Sequence, residues 1–130
     1  MGNDVKLTEA EWNVMECLWE KSPRTGREAI DWLNARMGWS RSTTLTLLRR
    51  MEEKGADGSE NNGEQKLFIP LLNRDYVALQ ETEDFLGRVY KGSLGMMLSA
   101  FTKKQELSKQ EIEELHAILD ELEAKEKCEE

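Results

Sequence analysis

Ser40–Gly55 reads SRSTTLTLLRRMEEKG, and the rest of the chain is best understood outward from it. A serine suited to a helix N-cap opens the stretch, and a glycine suited to a C-terminal stop closes it. At helical periodicity Thr44, Leu47, Leu48 and Met51 fall on one side, a stripe that predicts packing on other helices. Ser42, Thr46, Arg49, Arg50 and Glu53 fall on the opposite side, with Thr43 and Leu45 at its edges. This outward face carries hydroxyls and arginines and meets its first acids only at Glu52 and Glu53. Such groups hydrogen-bond phosphates and base edges, and a helix N-terminus adds free backbone N–H groups. A solvated amphipathic helix would show the same wheel, so on the wheel alone both readings stand.

Two helices are predicted upstream. Thr8 to Glu11 has the capping-box form, followed by Trp12, Val14, Met15, Leu18 and Trp19 at helical spacing, with Ser22-Pro23 as the stop. Thr25 to Glu28 repeats the box, with Ala29, Ile30, Leu33 and Met37 as the inner face and Gly38 as the stop. Downstream, Ala56–Glu64 is polar and turn-rich, and Asn62-Gly63 is a hairpin-turn dipeptide. Gln65–Leu72 reads as a strand with Leu67 and Ile69 on one face, and Pro70 is expected to hold it at a sheet edge. Three helices and then a hairpin is the winged helix-turn-helix order, predicted here over residues 1–72.

From Asn73 the pattern is helical without strands. Tyr76, Leu79, Phe85, Leu86, Val89 and Tyr90 mark one helix up to Gly92, and Leu94, Met97, Leu98 and Phe101 mark a shorter one. Thr102–Leu107 reads as a polar loop. A third capping box, Ser108 to Glu111, then precedes the seam Ile112, Leu115, Leu119 and Leu122. These eight apolar residues from Leu94 to Leu122 are more than a short segment buries alone. Residues 73–125 are therefore expected to form a helical dimerisation region, with an intramolecular bundle as the alternative, and 126–130 a disordered tail. The fold class expected is mainly α, a winged helix followed by dimerising helices.

Charge is uneven. The net charge of −8 argues at first against a nucleic-acid partner, but residues 1–72 carry ten basic groups against twelve acidic, and 73–130 eight against fourteen. Between Trp32 and Met51 lie Arg36, Arg41, Arg49 and Arg50 and no acid. Catalysis has little to stand on: there is no nucleophile–base pairing, no glycine-rich phosphate loop and no metal-ligand cluster. His116 is the lone histidine, and Cys17 and Cys128 form no CxxC; a core Cys17, a free Cys128, no metal and no cofactor are expected. No apolar run approaches the roughly 18–20 residues of a membrane span, and MGNDVKLTEAEW lacks a signal-peptide pattern, so a cytoplasmic protein without membrane insertion is expected.

Four segments together resemble the penicillinase-repressor family, which includes the methicillin-resistance repressors. They are LTEAEWNVMECLW (Leu7–Trp19), WSRSTTLTLLRRMEEKG (Trp39–Gly55), FLGRVYKGSLGMMLSAF (Phe85–Phe101) and LSKQEIEELHAILDEL (Leu107–Leu122). The resemblance implies a homodimeric transcriptional repressor that reads a pseudo-palindromic operator in double-stranded DNA. It implies control of β-lactam-resistance-type genes, with release when a membrane-sensor-linked protease cuts the repressor. Carried over by position, Ser42, Thr43 and Thr46 would reach bases or phosphates. Arg50 would clamp a phosphate, Arg41 and Arg49 would support it, and Lys66 would be the basic group of the wing. Two departures stand out: the wing opens with Ala56-Asp57 and an acidic, Asn-rich loop, and Ala100-Phe101 stands where the family's cleaved bond typically joins Asn to Phe. The acidic wing keeps a second reading open, a winged-helix protein-interaction module that no longer binds DNA specifically.

Overall fold

The structure is a computed structural model that describes residues 6–129; the first five residues, part of the segment read above for a leader, and Glu130 at the end of the expected tail lie outside it. Along the chain run α1 (Glu9–Glu20), β1 (Arg24–Thr25), α2 (Gly26–Met37), α3 (Arg41–Lys54), β2 (Asp57–Asn62), β3 (Gln65–Pro70), α4 (Arg74–Tyr90), α5 (Leu94–Thr102) and α6 (Lys109–Glu129).

Local chemistry sets the helix starts. The Thr8 hydroxyl accepts the Glu11 amide at 3.2 Å while Glu11 Oε1 accepts the Thr8 amide at 2.9 Å. Thr25 and Glu28 make the same reciprocal pair before α2, and Ser108 and Glu111 before α6. Each box satisfies amides that the first helical turn leaves without a partner, typically worth about 1 kcal/mol per cap. Gly55 ends α3 at φ +81°, a left-handed conformation that costs a side-chain-bearing residue more than glycine.

The chain divides into two compact units, Met1–Asp84 and Phe85–Glu130. In the first, Val14, Met15 and Leu18 of α1, Ala29 and Leu33 of α2, and Leu47, Leu48 and Met51 of α3 form the buried core. The inner stripe of α3 is thus the one its periodicity predicts, with Thr44 buried beside it. Cys17 is buried in this core, where burial raises its thiol pKa to about 11, and Cys128 is exposed. Met37, expected on the inner face of α2, is instead exposed in the helix's last turn.

The sheet corrects the sequence in several places. Its order is β1-β3-β2, antiparallel throughout, so β3 is the central strand and not an edge. Pro70 is tolerated because it is the last residue of β3, opposite Asp57, where the ladder ends. Phe68 is the buried residue of β3, and Leu67 and Ile69 on the other face are only half-buried. The polar segment after α3 is largely strand β2, whose Asp57 pairs with Pro70 and Asn62 with Gln65. The two loop residues are therefore Gly63 and Glu64, one step beyond the expected dipeptide, with Gly63 at φ +67°. Together α1 to α3 and the hairpin make a winged helix.

The first unit continues past residue 72, the expected boundary. Trp19 Nε1 donates to the Leu72 carbonyl at 2.8 Å, and Arg74 holds Glu16 at 2.9 Å with its guanidinium 5.6 Å from the Trp12 ring centre. Val77 of α4 is fully buried with the α1 residues, so the opening turns of α4 belong to the winged-helix core.

In the second unit α5 buries no residue fully. Between α5 and α6 lies a pocket of about 420 Å³, lined by Met97, Leu98, Phe101, Leu107, Leu115 and Ile118 together with Glu111 and Glu114. Leu94, Phe101, Ile112, Leu119 and Leu122 are exposed, and Met97, Leu98 and Leu115 half-buried. The expected loop from Thr102 begins one residue later, since Thr102 closes α5, and α6 continues as helix through residues 126–129, which were expected to be a tail.

Candidate nucleic-acid interface

Three hydroxyls meet at the start of α3. Ser40 Oγ accepts the Thr43 amide at 3.2 Å, lies 3.0 Å from Thr43 Oγ1 and 3.2 Å from Ser42 Oγ. No acid occupies the first turn, so the positive end of the helix faces outward without a carboxylate to neutralise it. Past this turn the outward residues include Arg49 and Arg50, both exposed, and Thr46, half-buried.

Several other cations of the winged helix are held by acids. Arg24 is buried, donating through Nε to the Cys17 carbonyl at 2.9 Å and lying 3.5 Å from Glu20. Arg36 also reaches Glu20, Arg74 reaches Glu16, and Lys54 Nζ sits 2.7 Å from Glu11. Burial opposes ionisation of Glu11, but hydrogen bonds from Lys54 and the Thr8 amide outweigh it and hold the carboxyl below its ordinary range. Among the described residues, Arg41, Arg49 and Arg50 make no ion pair. The exposed guanidiniums of Arg49 and Arg50, on a helical face that meets its first acid only at Glu53, together with Arg41 and the hydroxyls at the helix N-terminus, can bind phosphate oxygens and base edges.

The expected site residues of α3 thus lie along one helix: Arg41, Ser42 and Thr43 are exposed in its first turn, Thr46 is half-buried, and Arg49 and Arg50 are exposed further on. Lys66 lies apart, on β3, with Nζ 2.8 Å from Glu52 Oε1 and 5.1 Å from the Phe68 ring centre. Glu52 also accepts from the Ser59 hydroxyl at 3.2 Å, so one α3 carboxylate ties down both wing strands. Sequence reasoning assigned Glu52 no role, because the pairing crosses from helix to sheet and leaves no periodic trace.

Asp57 was likewise missed. It is 1% exposed at the first position of β2, and neither carboxyl oxygen has a hydrogen-bond partner among the described residues. Burial, and then the Glu52 carboxylate, push its pKa up to about 7 against the opposing pull of Lys66. Between α3 and β3 runs a groove of about 520 Å³, with Leu48 and Phe68 in its lining beside Leu45, Arg49 and Lys66. The residues expected to form a dimer interface and Ala100-Phe101 belong to the other unit.

The model of the penicillinase repressor family matches residues 7–121. The chain belongs to this family. It is 33% identical over 117 residues to the penicillinase repressor of Bacillus licheniformis, covering 89% of this chain and 91% of that one. It is 29% identical over 114 residues to the methicillin resistance regulatory protein MecI of Staphylococcus aureus, covering 88% of this chain and 93% of the relative. Among solved structures, the monomeric form of Bacillus licheniformis BlaI in complex with the blaP half-operator superposes with a TM-score of 0.50 at 28% identity, over 55% of this chain and 87% of that one. No helix among the described residues is long and apolar enough to cross a membrane.

Proposed function

We propose that this family member is a cytoplasmic transcriptional repressor, not an enzyme, that binds operator DNA by laying α3 in the major groove. The observation that carries this reading is the outer side of α3, free of acids until its last turn, where Arg41, Arg49 and Arg50 are exposed and unpaired among the described residues. In this reading Ser42, Thr43 and Thr46 reach base edges or phosphates, Arg50 clamps a phosphate, and Arg41 and Arg49 support it. Lys66 contributes little while Glu52 holds it. The exposed apolar residues of α5 and α6 bind a second copy, so that two winged helices address two half-sites of a pseudo-palindrome. An electrophoretic shift on the protein's own upstream region tests the reading: a sequence-dependent shift supports it. Binding no stronger than to scrambled DNA would instead favour a winged helix turned to a protein partner.

Release follows, in this proposal, from a membrane-sensor-linked protease that cuts Ala100-Phe101. That bond lies in the last turns of α5, where Phe101 is 49% exposed and its carbonyl accepts the Lys104 and Gln105 amides. Opening that turn exposes the bond, and a cut severs α6 from α5 and removes its share of the dimer interface. Mass spectrometry of the protein from β-lactam-treated host cells decides it: a full-length chain while target genes are induced rules the cut out.

A further inference from the structure

On the outward arc of α3, Leu45 has no group able to make a hydrogen bond, yet it is 37% exposed. It sits one turn after Ser42 and one turn before Arg49, so the three side chains are neighbours on a single stripe. That stripe borders the groove in which Leu45, Leu48 and Phe68 form apolar lining, while Thr43 and Arg50 belong to the opposite edge of the helix. Glu52 and Lys66 also line this groove, paired at 2.8 Å, so the carboxylate there is offset by the lysine. A base-pair edge in the major groove is a row of donors and acceptors with one apolar group, the 5-methyl of thymine. An aliphatic side chain between a hydroxyl and a guanidinium matches that arrangement. Ser42 and Arg49 would meet polar atoms on either side, and Leu45 would cover the methyl between them.

We propose that Leu45 is a specificity-determining residue that selects a thymine by packing against its 5-methyl group. This rests on the DNA-binding reading above. The test begins with duplexes enriched from a random pool by the full-length protein. Each thymine of the enriched sequence is then replaced in turn by deoxyuridine, which removes the methyl and nothing else. The wild type should lose about threefold to fivefold in affinity at one thymine per half-site, the effect of uncovering a single methyl. Leu45→Ala, a favourable substitution in a helix, should bind the thymine and deoxyuridine duplexes equally at that position, and Leu45→Met should keep the discrimination. The proposal is overturned if no thymine shows a methyl effect, or if Leu45→Ala retains it, which would assign the methyl contact to Thr43 or Thr46. If no sequence is enriched at all, the DNA-binding reading falls, and this assignment falls with it.

Discussion

Lys66 and Glu52 join the wing to the end of α3, Nζ 2.8 Å from Oε1, and the pair occupies the sole lysine of a hairpin that otherwise carries Asp57, Glu60 and Glu64. A partly exposed pair of this kind adds only about 0–1 kcal/mol to stability, so its consequence is electrostatic rather than structural. Glu52→Gln should free the lysine for a DNA phosphate. The expected outcome is tighter binding to any duplex at low salt, with the slope of log affinity against log salt steeper by about 0.9. Lys66→Ala in the wild-type background should change affinity little. Titrations at several salt concentrations check both.

Arg50 and Thr46 should fail differently. Arg50→Ala is expected to weaken operator and non-operator DNA alike and to flatten the salt slope by about 0.9, because a phosphate contact carries no sequence information. Thr46→Ala should change the preference between sequences, by about 1–3 kcal/mol where it touches a base edge. Affinity untouched by Arg50→Ala at every salt concentration would place the docking face elsewhere.

Asp57 should make the winged helix less stable as pH rises. Its folded pKa, about 7, lies above the ordinary carboxylate value, so between roughly pH 4 and 7 the folded chain binds more protons than the unfolded one. Stability from this group is therefore complete below the unfolded pKa, falls as pH rises through that window, and levels off above 7. The loss is of order a few kcal/mol. Asp57→Asn, with no charge to bury, should remove the slope and be the more stable protein at pH 8. Denaturant unfolding of both chains across pH 4–8 measures the difference, and parallel curves would contradict it.

The second unit should pair through its exposed apolar residues. Leu119, on α6, is half exposed, and a charge in its place should split a dimer while leaving the winged helix intact. Leu119→Glu is expected to sediment as a monomer where the wild type sediments as a dimer, with unchanged thermal unfolding of the first unit. A wild-type monomer at micromolar concentration would overturn the assembly.

The sequence alone determined the helices of the winged-helix unit and which side of α3 faces inward. Capping boxes act within four residues and an amphipathic stripe repeats every turn, so Thr8, Thr25 and Ser108 announced their helices and Thr44, Leu47, Leu48 and Met51 announced the core. The outward arginines were legible for the same reason, since a helix that buries one face must expose the other. Only the tertiary structure decided what depends on residues far apart in the chain. Arg24 and Thr25 became a strand because β3 arrived beside them, and a two-residue strand has no period of its own. β3 became central because it gained β1 on one side and β2 on the other, and Pro70 fell at its end, where a missing amide breaks no ladder. Asp57 reads as an ordinary turn residue until the fold leaves it 1% exposed, and Lys66 reads as a free cation until Glu52 stands 2.8 Å away. Local spacing encodes what a segment can form; burial and charge pairing depend on which segments meet.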